Sequence, residues 1–296
     1  MAKDLIIGGA SNYKYDDIKY WINSIKKSGF EGDIVLVATN MKIEELAKVS
    51  EKGVNILAYG QKDADGNYSS NSQMPPHVER FFHIWNYLNT TKEKYDFVIT
   101  TDVRDVVFQK NPSDFLTQDD FIGFVAAGEG LAYKDEPWGN NNYLQAFGPF
   151  FHNLIKDKEI YNVGVMAGKY DLVRDMLLMI LQLSVNRPIP IVDQAVYNFI
   201  LNTDVFKNQT EFFGNGSGWA CNLGTTLAAI QSGAGDIGQR NDPSTQIMYQ
   251  TKYLADQPVI GEDGTVYNAY EMPFYIVHQY DRVAGLVEKI RAKYND

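Results

Sequence analysis

The N-terminal part of the chain alternates apolar runs with amphipathic segments, and this alternation restricts the possible folds more than any other feature. Residues 4–9 are a short apolar run that ends in two glycines, and "DIVLVAT" and "VNILAY" are two further runs. The segment between the first two carries Ile18, Trp21, Ile22 and Ile25 at helical spacing, and "IEELAKVSEKG" is a second helical segment. Strands that alternate with helices in this order form a parallel sheet covered by helices. The sequence therefore predicts an α/β fold.

Later segments extend the pattern through much of the chain. A helix whose apolar face includes Phe81 and Trp85 leads into the strand "FVIT". The runs "FIGFVAA", "YNVGVMAG" and "FYIVHQY" predict further strands, whereas residues 128–158 and 207–272 show no clear period. No internal repeat or linker divides the chain, so we expect a single domain over residues 1–296.

The composition argues against several classes of partner. The 296 residues carry a formal net charge of −10 and a pI of about 4.9, so neither nucleic acid nor an anionic membrane surface is expected to bind. Cys221 is the only cysteine, so no disulfide forms within the chain. No run of about twenty apolar residues is present, which predicts no transmembrane segment. The first residues lack the pattern of a signal peptide, and the expected location is the cytoplasm.

Charged residues interrupt the apolar stretch "YDFVITTDVRDVVFQKNP". Asp102, Arg104 and Asp105 follow the strand "FVIT", and ligands of open parallel sheets bind where the strands end. Two carboxylates this close repel each other unless a cation or a proton lies between them, and a hard divalent ion is the natural occupant. The alternative is structural: Asp102 caps a turn and Arg104 pairs with one of the aspartates.

Two other segments carry groups suited to a ligand. In "GGASNYKY", after the first strand, small residues let a ligand approach the backbone, and Tyr13 offers a ring on which a base can stack. In "YIVHQYDR", His278 lies at the end of a strand with Arg282 four residues further on. The alternatives are an ordinary Gly–Asn turn and a structural histidine.

Taken in order, these segments resemble a family. The "ASNY" loop, the acid pair, "YNVGVMAG", "VDQAVYNFIL" and the late His278 resemble nucleotide-sugar glycosyltransferases of family 8, the glycogenin and bacterial galactosyltransferase group. The resemblance implies a GT-A, Rossmann-like single domain with a mostly parallel central sheet and long acceptor-side loops. It also implies a nucleotide-binding half over residues 1–125 and an acceptor-binding half over residues 126–296.

The resemblance assigns a role to each segment. It places Asp193 and Gln194 beside the anomeric carbon as catalytic residues, and it implies Asp102, Asp105 and His278 as ligands of Mn²⁺ or Mg²⁺. The residues that it places against the donor are Ala10, Asn12, Tyr13, Arg80, Asp102, Arg104, Asn162 and Arg282.

Two departures from the family pattern leave alternatives open. The acid pair is D-x-x-D rather than D-x-D, so either Asp102 or Asp105 is the acid that holds the metal directly. The "HQYDR" segment lacks the family's lysine, and we expect Arg282 to replace it on the departing phosphate. Arg104 either helps to bind the phosphates or forms an ion pair with an aspartate.

The implied reaction transfers a sugar from a nucleoside-diphosphate sugar, with UDP favoured by the resemblance, to a hydroxyl of a carbohydrate acceptor. The family likeness implies retention of configuration. An inverting enzyme would need a carboxylate base, for which Glu129, Glu136 and Asp193 are candidates. Aromatic residues near residues 128–150 and 213–240 are candidates for the acceptor site, namely Trp138, Tyr143, Phe147 and Trp219.

Two other functions remain open from the sequence. A sugar-phosphate nucleotidyltransferase would need a basic, glycine-rich loop after the first strand, and only Lys14 is basic there. A non-catalytic nucleotide- or sugar-binding protein would bind the same ligands without metal-dependent turnover.

Overall fold

A computed structural model describes residues 3–225 and 257–296. Its first part alternates strands and helices in the order expected from the apolar runs. The elements are β1 (Lys3–Ser11), α1 (Tyr15–Lys27), β2 (Asp33–Thr39), α2 (Ile43–Glu51), β3 (Asn55–Tyr59), β4 (Gln61–Lys62), β5 (Tyr68–Ser69), α3 (Pro76–Thr90) and β6 (Tyr95–Thr101).

The second part begins directly after the acid pair and is less regular. Its strands are β7 (Val106–Phe108), β8 (Phe124–Ala132), β9 (Glu159–Lys169), β10 (Thr210–Phe213), β11 (Ala220–Asn222), β12 (Val259–Ile260), β13 (Val266–Tyr267) and β14 (Ile276–His278). Its helices are α4 (Ser113–Leu116), α5 (Pro137–Ile155), α6 (Tyr170–Ser184), α7 (Asp193–Leu201), α8 (Asp204–Lys207) and α9 (Leu286–Lys293).

Seven strands form the central sheet, in the order β10-β8-β9-β6-β1-β2-β3. Four neighbouring pairs are parallel, and β9 runs antiparallel to both β6 and β8. The fold is therefore α/β with a mostly parallel central sheet, as predicted. A second sheet, in the order β11-β14-β7, brings His278 at the end of β14 beside β7, which follows the acid pair.

Both faces of the central sheet are covered, which explains why its strands are continuous apolar runs. Leu5 and Ile7 of β1 pack in one cluster with α3, α5, α6 and α7. Ile6, between them in sequence, packs in the other cluster with α1, α2 and residues of the second sheet. The period of two along the strand thus sends alternate side chains to opposite faces.

The region without a clear sequence period is more ordered than expected. Residues 128–150, anticipated as a loop, contain the end of β8 and most of α5. The Glu136 carboxylate caps α5 by accepting hydrogen bonds from the backbone N–H groups of Trp138 and Gly139. Gly148, with φ of 77°, kinks the helix and interrupts the helical spacing of its apolar residues. Of the Gly-rich stretch 213–240, residues 226–240 lie outside the described residues.

Within the described part of the chain, no helix is both long enough and apolar enough to cross a bilayer.

Candidate active site

A cleft of about 720 Å³ opens at the carboxyl ends of β1, β2 and β6. This is the edge at which open α/β sheets bind ligands. The residues predicted from the sequence for catalysis, donor binding and metal binding all line this one cleft: Ala10, Asn12, Tyr13, Arg80, Asp102, Arg104, Asp105, Asn162, Asp193, Gln194, His278 and Arg282. The structure thus brings them together, whereas their roles remain predictions.

The acid pair lies in a four-residue turn between β6 and β7. The Val103 side chain packs into space that Gly8 leaves free by lacking a Cβ atom, and Arg104 points outward with 55% of its side chain exposed. The turn is held by hydrogen bonds from the Asp102 N–H to the Gly164 carbonyl and from the Gln279 N–H to the Asp105 carbonyl, both 2.8 Å. The D-x-x-D spacing therefore places both carboxylates on the cleft side.

Asp102, Asp105 and His278 form a cluster with the composition of a metal site. One donor atom of each residue lies within 4.8 Å of those of the other two. His278 Nε2 is 3.5 Å from Asp102 Oδ2 and 3.7 Å from Asp105 Oδ2. Burial lowers the pKa of His278, which favours the neutral imidazole that a metal requires. Two carboxylates and an imidazole nitrogen fit Mn²⁺ or Mg²⁺.

Arg80 supplies a positive charge to the cleft, with 16% of its side chain exposed. Its Nη1 donates to Asp102 Oδ1, and its Nη2 lies 3.7 Å from Asp193 Oδ2. Gly9 makes room for the arginine, since a Cβ atom there would lie 2.9 Å from Arg80 Cβ. Asp102 therefore has one oxygen on Arg80 and the other towards His278, while Arg80 links Asp102 to the start of α7.

Asn162 connects the acid turn to a buried glutamate. Its Nδ2 donates to Glu129 Oε1 at 2.6 Å, and its Oδ1 accepts from the Gly164 N–H at 2.7 Å. Burial raises the pKa of Glu129 to about 7, against hydrogen bonds from Asn162 and Gln194 that lower it. A Cβ atom at Gly164 would overlap the ring of His278, which explains the glycine two residues after Asn162.

Arg104 pairs with an aspartate, but not with one of the acid pair. Its Nη2 lies 3.4 Å from Asp281 Oδ2, a residue of the short 3₁₀ turn after β14. The hydroxyl of Tyr280 donates to the Arg104 carbonyl at 3.0 Å. The alternative that Arg104 pairs with Asp102 or Asp105 was thus wrong. Its partner, Asp281, belongs to a segment remote in sequence.

The predicted acceptor aromatics divide into one exposed ring and three packed ones. Tyr143 and Trp219 are fully buried, so neither ring is free to stack on a sugar. Phe147 stacks on Phe199 with ring centroids 4.6 Å apart. Trp138 alone of the four lines the cleft, and it is 50% exposed. Tyr143 and Trp219 were wrong as sugar platforms because their rings pack in the core, and Phe147 is half-buried and does not line the cleft.

Glu79 and His83 line the cleft as well, although neither was predicted from the sequence. His83 Nε2 is 3.3 Å from Glu79 Oε1, and the Ser70 hydroxyl donates to the same oxygen at 3.0 Å. The His83 ring stacks on Tyr59 with centroids 3.8 Å apart. The available signal was their spacing of four residues, which places both side chains on one face of α3.

The order of strands and the position of the cleft define the class of fold: the chain has the GT-A glycosyltransferase fold. It resembles the galactosyltransferase LgtC, solved with donor and acceptor sugar analogues, at a TM-score of 0.56 and 12% identity over 99% of this chain and 96% of that chain. An active-site mutant of LgtC matches at 0.57 and 13%, with the same coverage.

The WbbM bifunctional glycosyltransferase matches at a TM-score of 0.56 and 12% identity, over 100% of this chain and 52% of that chain. The chain thus spans about half of WbbM and nearly all of LgtC. No protein-family model and no curated protein matches the sequence.

Proposed function

We propose that the protein is a metal-dependent glycosyltransferase that moves a sugar from a nucleoside-diphosphate sugar to a hydroxyl of a carbohydrate acceptor. The observation that carries the proposal is the cluster of Asp102, Asp105 and His278 beside Arg80, at the carboxyl edge of a GT-A sheet. LgtC, which shares the fold, was solved with a donor and an acceptor sugar analogue.

Asp102, Asp105 and His278 would hold Mn²⁺ or Mg²⁺, and the bound ion would act as a Lewis acid on the diphosphate. Asp102 would bind through Oδ2, since Oδ1 is engaged by Arg80. Both acids face His278, so both are proposed as ligands.

The cationic residues would hold the leaving diphosphate. Arg80 is oriented by Asp102 and Asp193 and is largely shielded from solvent, so its charge would be screened less by water than that of a surface arginine. Arg282 lines the same cleft, and its guanidinium fits phosphate oxygens through two hydrogen bonds. Arg104 would approach the phosphates only if it left Asp281.

The nucleoside would bind at the end of the cleft formed by the loop after β1. Ala10 and Asn12 line it, and Tyr13 supplies a partly exposed ring for stacking. Asn12 adopts φ of 60°, a left-handed conformation that asparagine tolerates well. UDP is the favoured nucleotide by family resemblance.

The sugar and its acceptor would meet beside Asn162, Asp193 and Gln194. In a retaining reaction Gln194 and Asp193 would lie near the reacting carbon. In an inverting reaction Glu129 would be the preferred base, because its carboxyl faces the cleft and its pKa of about 7 suits proton transfer at neutral pH. Glu136 is less suited, since its carboxylate caps α5.

Nucleotide release from a panel of UDP-, GDP- and ADP-sugars, with Mn²⁺, Mg²⁺ or EDTA, tests the proposal. We expect release from one donor that requires the metal and accelerates with a carbohydrate acceptor. Tight nucleotide binding without any metal-dependent release would instead support a non-catalytic binding protein. Once a product is obtained, its anomeric configuration distinguishes retention from inversion.

A further inference from the structure

We propose that Asn222 is a positioning residue that holds His278 in the tautomer able to bind a metal. The inference rests on the metal site proposed above, but part of it concerns the metal-free protein. Asn222 is fully buried, does not line the cleft, and was not singled out from the sequence.

The second sheet places Asn222 beside His278. The two residues are partners in the parallel pair of β11 and β14, and Asn222 Oδ1 lies 2.9 Å from His278 Nδ1. The Leu223 N–H donates to the His278 carbonyl at 3.1 Å, which continues the pairing. Backbone pairing therefore sets the distance between the two side chains.

The other end of the Asn222 amide decides which atom faces the histidine. Its Nδ2 donates to the carbonyl oxygens of Ala127 and Gly128, at 3.4 and 3.1 Å. Carbonyl oxygens only accept, so the amide nitrogen belongs on their side and the amide oxygen on the side of His278. That oxygen also only accepts, so His278 Nδ1 must carry the proton.

A proton on Nδ1 leaves a lone pair on Nε2 of the neutral ring. Nε2 faces Asp102 Oδ2 and Asp105 Oδ2, at 3.5 and 3.7 Å. Without a cation these carboxylates favour the opposite tautomer, in which Nε2–H donates to them. Asn222 opposes this preference, so that His278 presents a metal-binding lone pair before any ion arrives.

The surroundings of His278 also limit rotation of its ring. The ring is 2% exposed and packs against the Cα of Gly164 so closely that a Cβ atom there would overlap Cε1. Exchange of the ring nitrogens by a flip is therefore hindered. The hydrogen bond to Asn222 therefore determines which ring nitrogen carries the proton.

Nitrogen-15 NMR of the metal-free wild-type protein tests this with Asn222 in place. The chain has four histidines, so the imidazole signals can be assigned by single His→Gln substitutions. We expect His278 to show a protonated Nδ1 and an unprotonated Nε2 at mildly alkaline pH. A protonated Nε2, alone or together with Nδ1, would overturn the proposal.

Mn²⁺ affinity, measured from the EPR signal of free Mn²⁺, gives a second readout. Asn222→Leu keeps the branched shape of the side chain and removes the acceptor, and we expect about 10–100-fold weaker binding. Asn268→Leu is the matched control: Asn268 is also buried and also bridges backbone groups, including the Gly216 carbonyl, but does not line the cleft. We expect it to bind Mn²⁺ as the wild type does.

The outcomes separate this inference from the proposed function. Wild-type protein that binds no Mn²⁺ would overturn the metal site. The NMR measurement on the metal-free protein would still show whether Asn222 fixes the tautomer of His278. Unchanged affinity in folded Asn222→Leu would overturn the positioning role. If that variant does not fold, Asn222→Asp, which keeps an acceptor, must retain the Nδ1–H tautomer, and loss of that tautomer would be contrary to the proposal.

Discussion

Gly164 lies so close to the imidazole of His278 that a Cβ atom at residue 164 would overlap the ring. Gly164→Ala would push the ring away from Asp102 and Asp105. We expect at least about tenfold weaker Mn²⁺ binding, the cost typical of a disturbed ligand orientation. Gly214→Ala is the control, because the nearest atom to an added Cβ atom there is 3.9 Å away. Equal Mn²⁺ affinity of the two variants would contradict the geometry.

Asp105→Asn removes one proposed ligand charge with little change of volume. We expect kcat/KM to fall by about 100-fold or more, which corresponds to about 2.7 kcal/mol of transition-state stabilisation. Mn²⁺ should raise the Tm of the wild type but not that of the variant. Asp16→Asn, on a side chain that is 80% exposed, serves as the surface control. Full turnover by Asp105→Asn would exclude Asp105 as a ligand.

Arg80→Lys keeps the charge but loses the planar group that contacts both Asp102 and Asp193. We expect kcat/KM for the donor to fall by about 10–100-fold, and binding of the nucleoside diphosphate to weaken in parallel. Arg174→Lys changes an arginine whose ion pairs with Asp171 and Asp175 lie on the surface, so its kinetics should match the wild type. An unaffected donor KM in Arg80→Lys would argue against a phosphate contact.

Glu129→Gln should change how stability depends on pH. The folded protein holds the Glu129 proton up to a pKa of about 7, above the 4.5 of an ordinary glutamate. The stability that this proton provides is therefore present at low pH and is lost as the pH rises through about 7. Glu129→Gln should gain Tm relative to metal-free wild type between about pH 5 and 8. The exposed Glu44→Gln should show no such trend.

Trp138→Ala should weaken acceptor binding without altering the donor. The half-exposed ring lies at the cleft, where it can stack on the apolar face of a sugar. Stacking of this kind contributes about 0.5–1.5 kcal/mol, so we expect acceptor KM to rise by about 2–10-fold. Phe150→Ala, at a ring 70% exposed that does not line the cleft, provides the comparison. A similar effect of both variants would locate the acceptor elsewhere.

The sequence by itself determined the order of the main strands and helices in the N-terminal part, since the spacing of Ile18, Trp21, Ile22 and Ile25 is a local property of the chain. It also determined which residues end the strands, and the carboxyl ends of parallel strands meet at one edge. For that reason the predicted residues at strand ends, among them Asn12, Asp102 and His278, line the same cleft.

Only the tertiary structure decided how those residues are paired. Local spacing left open whether Asp102 or Asp105 is the proposed metal ligand, and the Val103 contact with Gly8 turns both towards His278. The burial of Trp219, the pairing of Arg104 with Asp281, and the Asn222 contact with His278, 56 residues away, likewise depend on segments remote in sequence. Such contacts form when sheets and helices pack, and no local pattern of residues encodes them.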